Sequence, residues 1–183
     1  QELVLTSLFM AIVMVMSIIP NTGYINIGAI SIAIVHIPVI VGAILLGWRM
    51  GLLIGAAFGI GSFINALTAP LLLAPVFLNP LVSVFPRIIF GGIVALPYFK
   101  NQKYIAYALT AGISTLIHTA MVVPLMYTVG LGFPDIASAV FQGASMVQFF
   151  LAILVANGIF EVIAAVILGP IILRALKSVE ESD

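Results

Sequence analysis

Six long apolar stretches, each ended by glycine, proline or a short polar turn, take up almost the whole chain. Their length decides what it can fold into, because a helix needs about 20 mainly apolar residues to cross a bilayer. Of 183 residues, 63% are hydrophobic and 7% carry charge, where a soluble domain has roughly 25% charged. A chain this apolar cannot cover itself with polar surface, so its solvent is lipid. The expected architecture is an all-α integral membrane protein, one domain over residues 1–183, with six transmembrane helices and no room for a soluble domain. The first stretch is long and lacks a basic flank and a small-residue cleavage site, so it reads as a span and not as a signal peptide. The absence of cysteine excludes disulfides, thiolate metal sites and thiol catalysis. A net charge of zero gives no hint of nucleic acid.

The first span covers about Leu3 to Ile19 and stops at Pro20-Asn21-Thr22-Gly23. In the loop from Tyr24 to Ala33, Ile25, Ile27, Ile30 and Ile32 follow a period closer to two than to 3.6, which predicts an extended flap. The second span is short, about Val35 to Gly47, with Pro38 in its first turn, where proline is tolerated. Trp48-Arg49-Met50 is expected to turn, and the third span runs from about Gly51 to Leu67. A loop rich in proline and leucine, Thr68 to Leu78, precedes the fourth span, about Asn79 to Tyr98. After Lys100-Asn101-Gln102-Lys103 comes the fifth, about Tyr104 to Val129. Gly130 to Asp135 leads into a short amphipathic stretch, and the sixth span covers about Ser145 to Leu176, before the charged tail Glu180-Glu181-Ser182-Asp183.

With six spans both termini share a side. That side holds Arg49, Lys100, Lys103, Arg174 and Lys177, while the loops opposite hold no Lys or Arg. The positive-inside rule then places both termini in the cytoplasm and Trp48 at the inner interface. The long connections fall outside, which suggests that something is captured there.

Gly51, Gly55 and Gly59 recur at every fourth residue of the third span, a spacing that lets helices approach closely in lipid. Internal packing is the first reading of this stripe. Ser7 and Ala11 repeat the small-residue spacing in the first span, among large apolar residues that include Met10, Met14 and Met16. Methionine-rich faces adapt to partners, though ordinary lipid contact explains the face equally well.

Ionisable and polar residues inside spans are costly and are usually paired or functional. Ser83 and Arg87 share a stripe in the fourth span, Ser114, Thr115 and His118 in the fifth, and Asn157 and Glu161 lie one turn apart in the sixth. Counting about 1.5 Å per residue, Arg87 and His118 lie roughly 12 and 14 Å below the outer ends of their spans, and Asn157 roughly 16–18 Å. Similar depth on three helices argues for a shared pocket, with His36 and Asn65 able to close its rim. Plainer roles remain for each. Arg87 and Glu161 can neutralise one another as a structural ion pair, His118 and Asn157 can be helix-to-helix hydrogen-bonding groups, and Asn65 can simply end a helix.

No phosphate-binding G-x-x-x-x-G-K-[ST] loop is present, so the chain does not run on ATP by itself. Neither H-E-x-x-H nor G-x-S-x-G appears, which leaves an intramembrane enzyme without its nucleophile or metal cluster. A stand-alone channel or facilitator would need polar residues through both halves of the membrane, and the inner half lacks them. No cofactor is implied.

The stretch Ser31 to Leu46, followed by Gly47-Trp48-Arg49-Met50-Gly51 and then Gly55 and Gly59, resembles the substrate-binding S components of energy-coupling factor (ECF) vitamin transporters. So does Asn79-Pro80-Leu81-Val82-Ser83-Val84-Phe85-Pro86-Arg87-Ile88. The resemblance covers nearly the whole chain. It implies an S-component bundle that captures a vitamin in an outward pocket made by the outer loops and spans four to six. It also implies a membrane scaffold (T) subunit and two cytoplasmic ATPases as partners. Family members dock through Ala-x-x-x-Ala on span one; here the positions are Ser7 and Ala11, so the spacing is kept and one alanine is not. The Asn79 to Arg87 stretch is most similar to the pantothenate-specific type. Arg87 would then grip the carboxylate in a bidentate fork, with His118, Asn157 and His36 serving the amide and hydroxyls. Flat-ring vitamins favour stacking. Tyr24, Phe77, Phe85 and Tyr127 keep pyridoxine or a hydroxymethylpyrimidine open.

Overall fold

The computed structural model describes residues 2–27, 30–68, 72–96 and 104–180. The order along the chain is α1 (Glu2–Ile18), β1 (Tyr24–Ile27), β2 (Ile30–Ala33), α2 (His36–Leu46) and α3 (Trp48–Thr68), then α4 (Ala74–Phe77), α5 (Pro80–Ser83) and α6 (Phe85–Val94). It ends with α7 (Tyr104–Gly130), α8 (Pro134–Ile136), α9 (Met146–Ile153) and α10 (Ile159–Glu180). A π-helical turn at Leu154–Gly158 joins α9 to α10, and another, Ala137–Phe141, extends α8. Among the described residues, three helical stretches are long and apolar enough to cross a membrane: Trp48–Thr68, Tyr104–Gly130 and Met146–Ser178. Shorter apolar helices, Glu2–Ile18, His36–Leu46 and Pro80–Val94, occupy the remaining three expected places.

The helical membrane architecture is as expected, with one exception to an all-α fold among the described residues. The period-two loop forms an antiparallel hairpin pairing Tyr24 with Ala33 and Ile27 with Ile30. Its base is fixed by the Ile34 and Val35 amides, which donate to Gly23 O at 2.8 and 3.2 Å. A second difference concerns the turn before α3. Trp48, Arg49 and Met50 are already helical, and the chain reverses at Gly47 alone, whose φ of 90° suits a residue without a Cβ. Lys100 and Lys103, two of the five basic residues behind the expected orientation, lie outside the described residues, as does the tail from Glu181.

The glycine stripe of α3 packs internally. A Cβ at Gly51 would strike the Gly91 carbonyl, one at Gly55 the Arg87 carbonyl, and one at Gly59 the backbone of Val84. Such close approach brings dispersion contacts where burial of apolar surface gives no drive, since lipid is as apolar as the core. α2 is enclosed on nearly every side, with Val39, Ile40, Val41 and Ala43 fully buried. α1 turns Phe9 and Val13 inward and leaves Ser7, Ala11, Val4, Leu8 and Val15 exposed. The Ser7 hydroxyl bonds back to Leu3 O at 2.9 Å, so this outer face is smooth and apolar.

Two side-chain links brace α7 at its ends. Lys177 Nζ donates to the Tyr107 hydroxyl at 2.8 Å, tying α10 to α7. Far along α7, Tyr127 packs at a tilt on Phe141 at 4.8 Å, Phe149 packs edge-on to Phe141 at 4.8 Å, and the Tyr127 hydroxyl donates to Ala144 O at 2.8 Å. α9 begins on a capping box in which Ser145 and Gln148 satisfy each other's backbone donors.

Candidate functional site

Arg87 stands at the centre of the buried polar groups. Val84 breaks the helix between α5 and α6, and Pro86 sits in the first turn of α6, where its missing N–H costs nothing. The broken turn leaves the carbonyls of Val82 and Ser83 without helical partners, and Arg87 Nη1 donates to both at 2.8 Å. The guanidinium lies over the rings of Phe58 at 4.9 Å and Phe77 at 5.6 Å. Arg87 is 4% exposed, and its Nε has no partner. Gly55, pressed on the Arg87 carbonyl, fixes the height of this residue against α3.

His118, in the middle of α7, inserts its ring between Phe58 and Phe90, with centroids 5.7 and 4.9 Å away. Its Nε2 has no partner, nor has Nε2 of His36, the first residue of α2. His118 lies within electrostatic reach of both Arg87 and His36. Glu161, in the first turn of α10, accepts a hydrogen bond from the Ala33 amide at 3.0 Å through Oε1. It feels the Arg87 charge, yet the two form no direct ion pair among the described residues. Asn157 belongs to the π turn before α10, and its Oδ1 is enclosed and unpartnered. Single π turns inside helices are frequent at functional sites, because the extra residue re-aims side chains and frees backbone groups.

The structure therefore brings Arg87, His118, His36 and Glu161 into one group, with Asn157 one turn from Glu161. Ser83 contributes differently from expectation. Its hydroxyl bonds back to Asn79 O at 3.2 Å, while its carbonyl helps hold Arg87. Asn65 is half-buried near the end of α3, and no hydrogen bond or charge contact joins it to the group among the described residues.

Three participants were not singled out from sequence. Phe58 and Phe90 look like any apolar residue, although Phe58 follows Gly55 by three positions and so shares the face that meets Arg87. Tyr24, read only as a stacking residue, turns its hydroxyl into the same group. Arg87 and the hydroxyls of Ser62 and Ser17 surround that hydroxyl, none in hydrogen-bonding geometry. Burial pushes the Tyr24 phenol up, against the pull of the Arg87 charge, so at neutral pH it is protonated and able to donate. Four polar side chains, those of Arg87, Tyr24, His118 and His36, thus reach one region with donor or acceptor capacity to spare, and the Asn157 amide lies on the turn before Glu161 beside it. A cation, a phenol, two imidazoles and an amide together suit a small anion that also carries neutral polar groups. A separate open groove of about 570 Å³ lies over residues 140–152, beside the Tyr127 cluster.

Comparison with known proteins agrees in kind. The family model for the substrate-specific component of ECF transporters matches residues 1–173. The chain is 30% identical over 193 residues to the pantothenate transporter PanT of Leuconostoc mesenteroides subsp. mesenteroides, covering 99% of this chain and 94% of that protein. It is 31% identical over 170 residues to the pantothenic acid transporter PanT of Lactococcus lactis subsp. cremoris, covering 82% of this chain and 80% of that one.

Proposed function

This chain belongs to the substrate-specific components of ECF transporters, and we propose that it captures pantothenate from the outer face for uptake driven by partner subunits. It is a multi-pass protein of the bacterial plasma membrane. The observation that carries the ligand assignment is Arg87, a buried cation held on two carbonyls, with no carboxylate bonded to it among the described residues and an unpartnered Nε. Pantothenate offers a carboxylate for that guanidinium and an amide and two hydroxyls for His118, Asn157 and His36. Ser83 acts through its carbonyl, and Asn65 sits at the rim. Both relatives above carry pantothenate in their names. The test is calorimetric titration of the purified chain with pantothenate, pyridoxine and a hydroxymethylpyrimidine. Binding of pantothenate well below the concentrations the ring compounds need is expected; preference for either ring compound would replace the assignment.

The chain works as a binding subunit and not as an enzyme, with both termini in the cytoplasm. A T scaffold subunit and a pair of ATPases supply the energy. Vesicles holding this chain alone should show no ATP-dependent pantothenate accumulation, and accumulation there would refute the dependence on partners. The exposed face of α1, with Ser7 and Ala11 one turn apart, is the docking surface for the scaffold. Ala11→Trp should reduce co-purification with the scaffold severalfold while pantothenate affinity stays unchanged, since Ala11 points away from Arg87. Undiminished co-purification would place the contact elsewhere.

A further inference from the structure

We propose that Tyr24 contacts the ligand and helps set its specificity, and that Glu161 is the positioning residue that holds Tyr24 in place through the hairpin. The inference rests on the pantothenate reading above. Tyr24 is partly buried against the main core, but its hydroxyl is fully enclosed and lacks a partner. An enclosed donor without an acceptor costs free energy, so native structures keep few of them. This one sits beside the Arg87 guanidinium, where a carboxylate would bring spare acceptor sites.

Tyr24 is placed by its neighbours. Its neighbour Gly23 is packed on the Met16 carbonyl and takes two hydrogen bonds from the far side of the hairpin. The residue directly across from Tyr24 is Ala33, and Ala33 is the residue whose amide is held by Glu161. Glu161 thus fixes the one rung of the hairpin that carries the phenol. Its Oε1 is turned to the Ala33 N–H, and among the described residues it makes no ion pair with Arg87. An anionic ligand then meets a guanidinium from α6 and a phenol from the hairpin at the same carboxylate, while Glu161 stays behind the rung.

Tyr24→Phe removes only the hydroxyl. It should weaken pantothenate binding about two- to tenfold and leave binding of pantothenol, the alcohol analogue without the carboxylate, nearly unchanged. The melting temperature without ligand should not fall, because no hydrogen bond is lost. Glu161→Ala should weaken pantothenate binding mainly by faster dissociation, and Glu161→Gln, which keeps an acceptor for Ala33, should recover most of that loss. In the Glu161→Ala background Tyr24→Phe should have little further effect. Wild-type affinity for pantothenate in Tyr24→Phe, or an equal loss for pantothenol, overturns the role of Tyr24. Additive losses, with Gln no better than Ala, overturn that of Glu161. Failure of the unmodified chain to bind pantothenate would instead refute the reading beneath both.

Discussion

Replacing Arg87 by alanine is expected to weaken pantothenate binding roughly 10- to 150-fold, the loss of hydrogen bonding to a charged group worth about 1.5–3 kcal/mol. Arg87 is 4% exposed, so solvent screens its charge little against an incoming carboxylate. Arg87→Lys should also weaken binding, because an ammonium cannot hold two carbonyls and a carboxylate with one planar fork. The double variant Arg87→Ala with Glu161→Ala separates this from simple charge balance. If Arg87 existed only to neutralise Glu161, removing both would restore stability and keep ligand affinity. The structure argues otherwise, since Glu161 bonds to Ala33 and Arg87 to Val82 and Ser83. Titration and thermal melting of both single variants and the double decide it. Wild-type pantothenate affinity in the double variant would end the carboxylate clamp and move pyridoxine or a hydroxymethylpyrimidine ahead.

Gly55→Leu should be strongly damaging although it lies outside the ligand contacts. Its Cβ would collide with the Arg87 carbonyl, which is backbone and cannot swing aside. Overpacking of this kind costs about 1–3 kcal/mol and occasionally more, or several degrees in melting temperature for a chain of this size. Affinity should fall as well, because any separation of α3 from α6 carries Arg87 away from Phe58. Ile60→Leu, on the exposed side of the same helix, should change neither quantity. A Gly55→Leu protein that melts and binds like the unmodified chain would show that the two helices are not in backbone contact.

Much of this was legible in the sequence, for identifiable physical reasons. Apolar stretches announce helices in lipid whatever their neighbours, and Ile25, Ile27, Ile30 and Ile32 announced extended backbone by their period, though not its pairing into a hairpin. Arg87, His118 and Glu161 stood out because a polar group inside a span needs a reason. What was hidden depended on three-dimensional partners. The carboxylate of Glu161 meets a backbone amide, and no backbone amide can be distinguished from another in a sequence. The π turn at Leu154–Gly158 has no fixed residue signature, so the local geometry at Asn157 could not be foreseen. The turn was expected one step too late, at Trp48-Arg49-Met50, because Trp48 and Arg49 resemble interface residues; a lone glycine at positive φ, Gly47, suffices to end one helix and let the next begin.

The hydroxyls of the helices have a further consequence. Those of Thr6, Ser7, Ser17, Thr115, Thr119 and Thr128 bond to the carbonyl one turn earlier in their own helix, so they do not tie neighbouring helices together. Between α3 and α6 the bond is one of shape, glycine against backbone. Attraction of that kind is short in range: a gap of about 0.5–1 Å already forfeits a quarter to a half of it. A joint held this way has almost no elastic regime; it is shut or it is lost. A displacement of either helix is therefore expected to carry α3 and α6 together, with Arg87 between them.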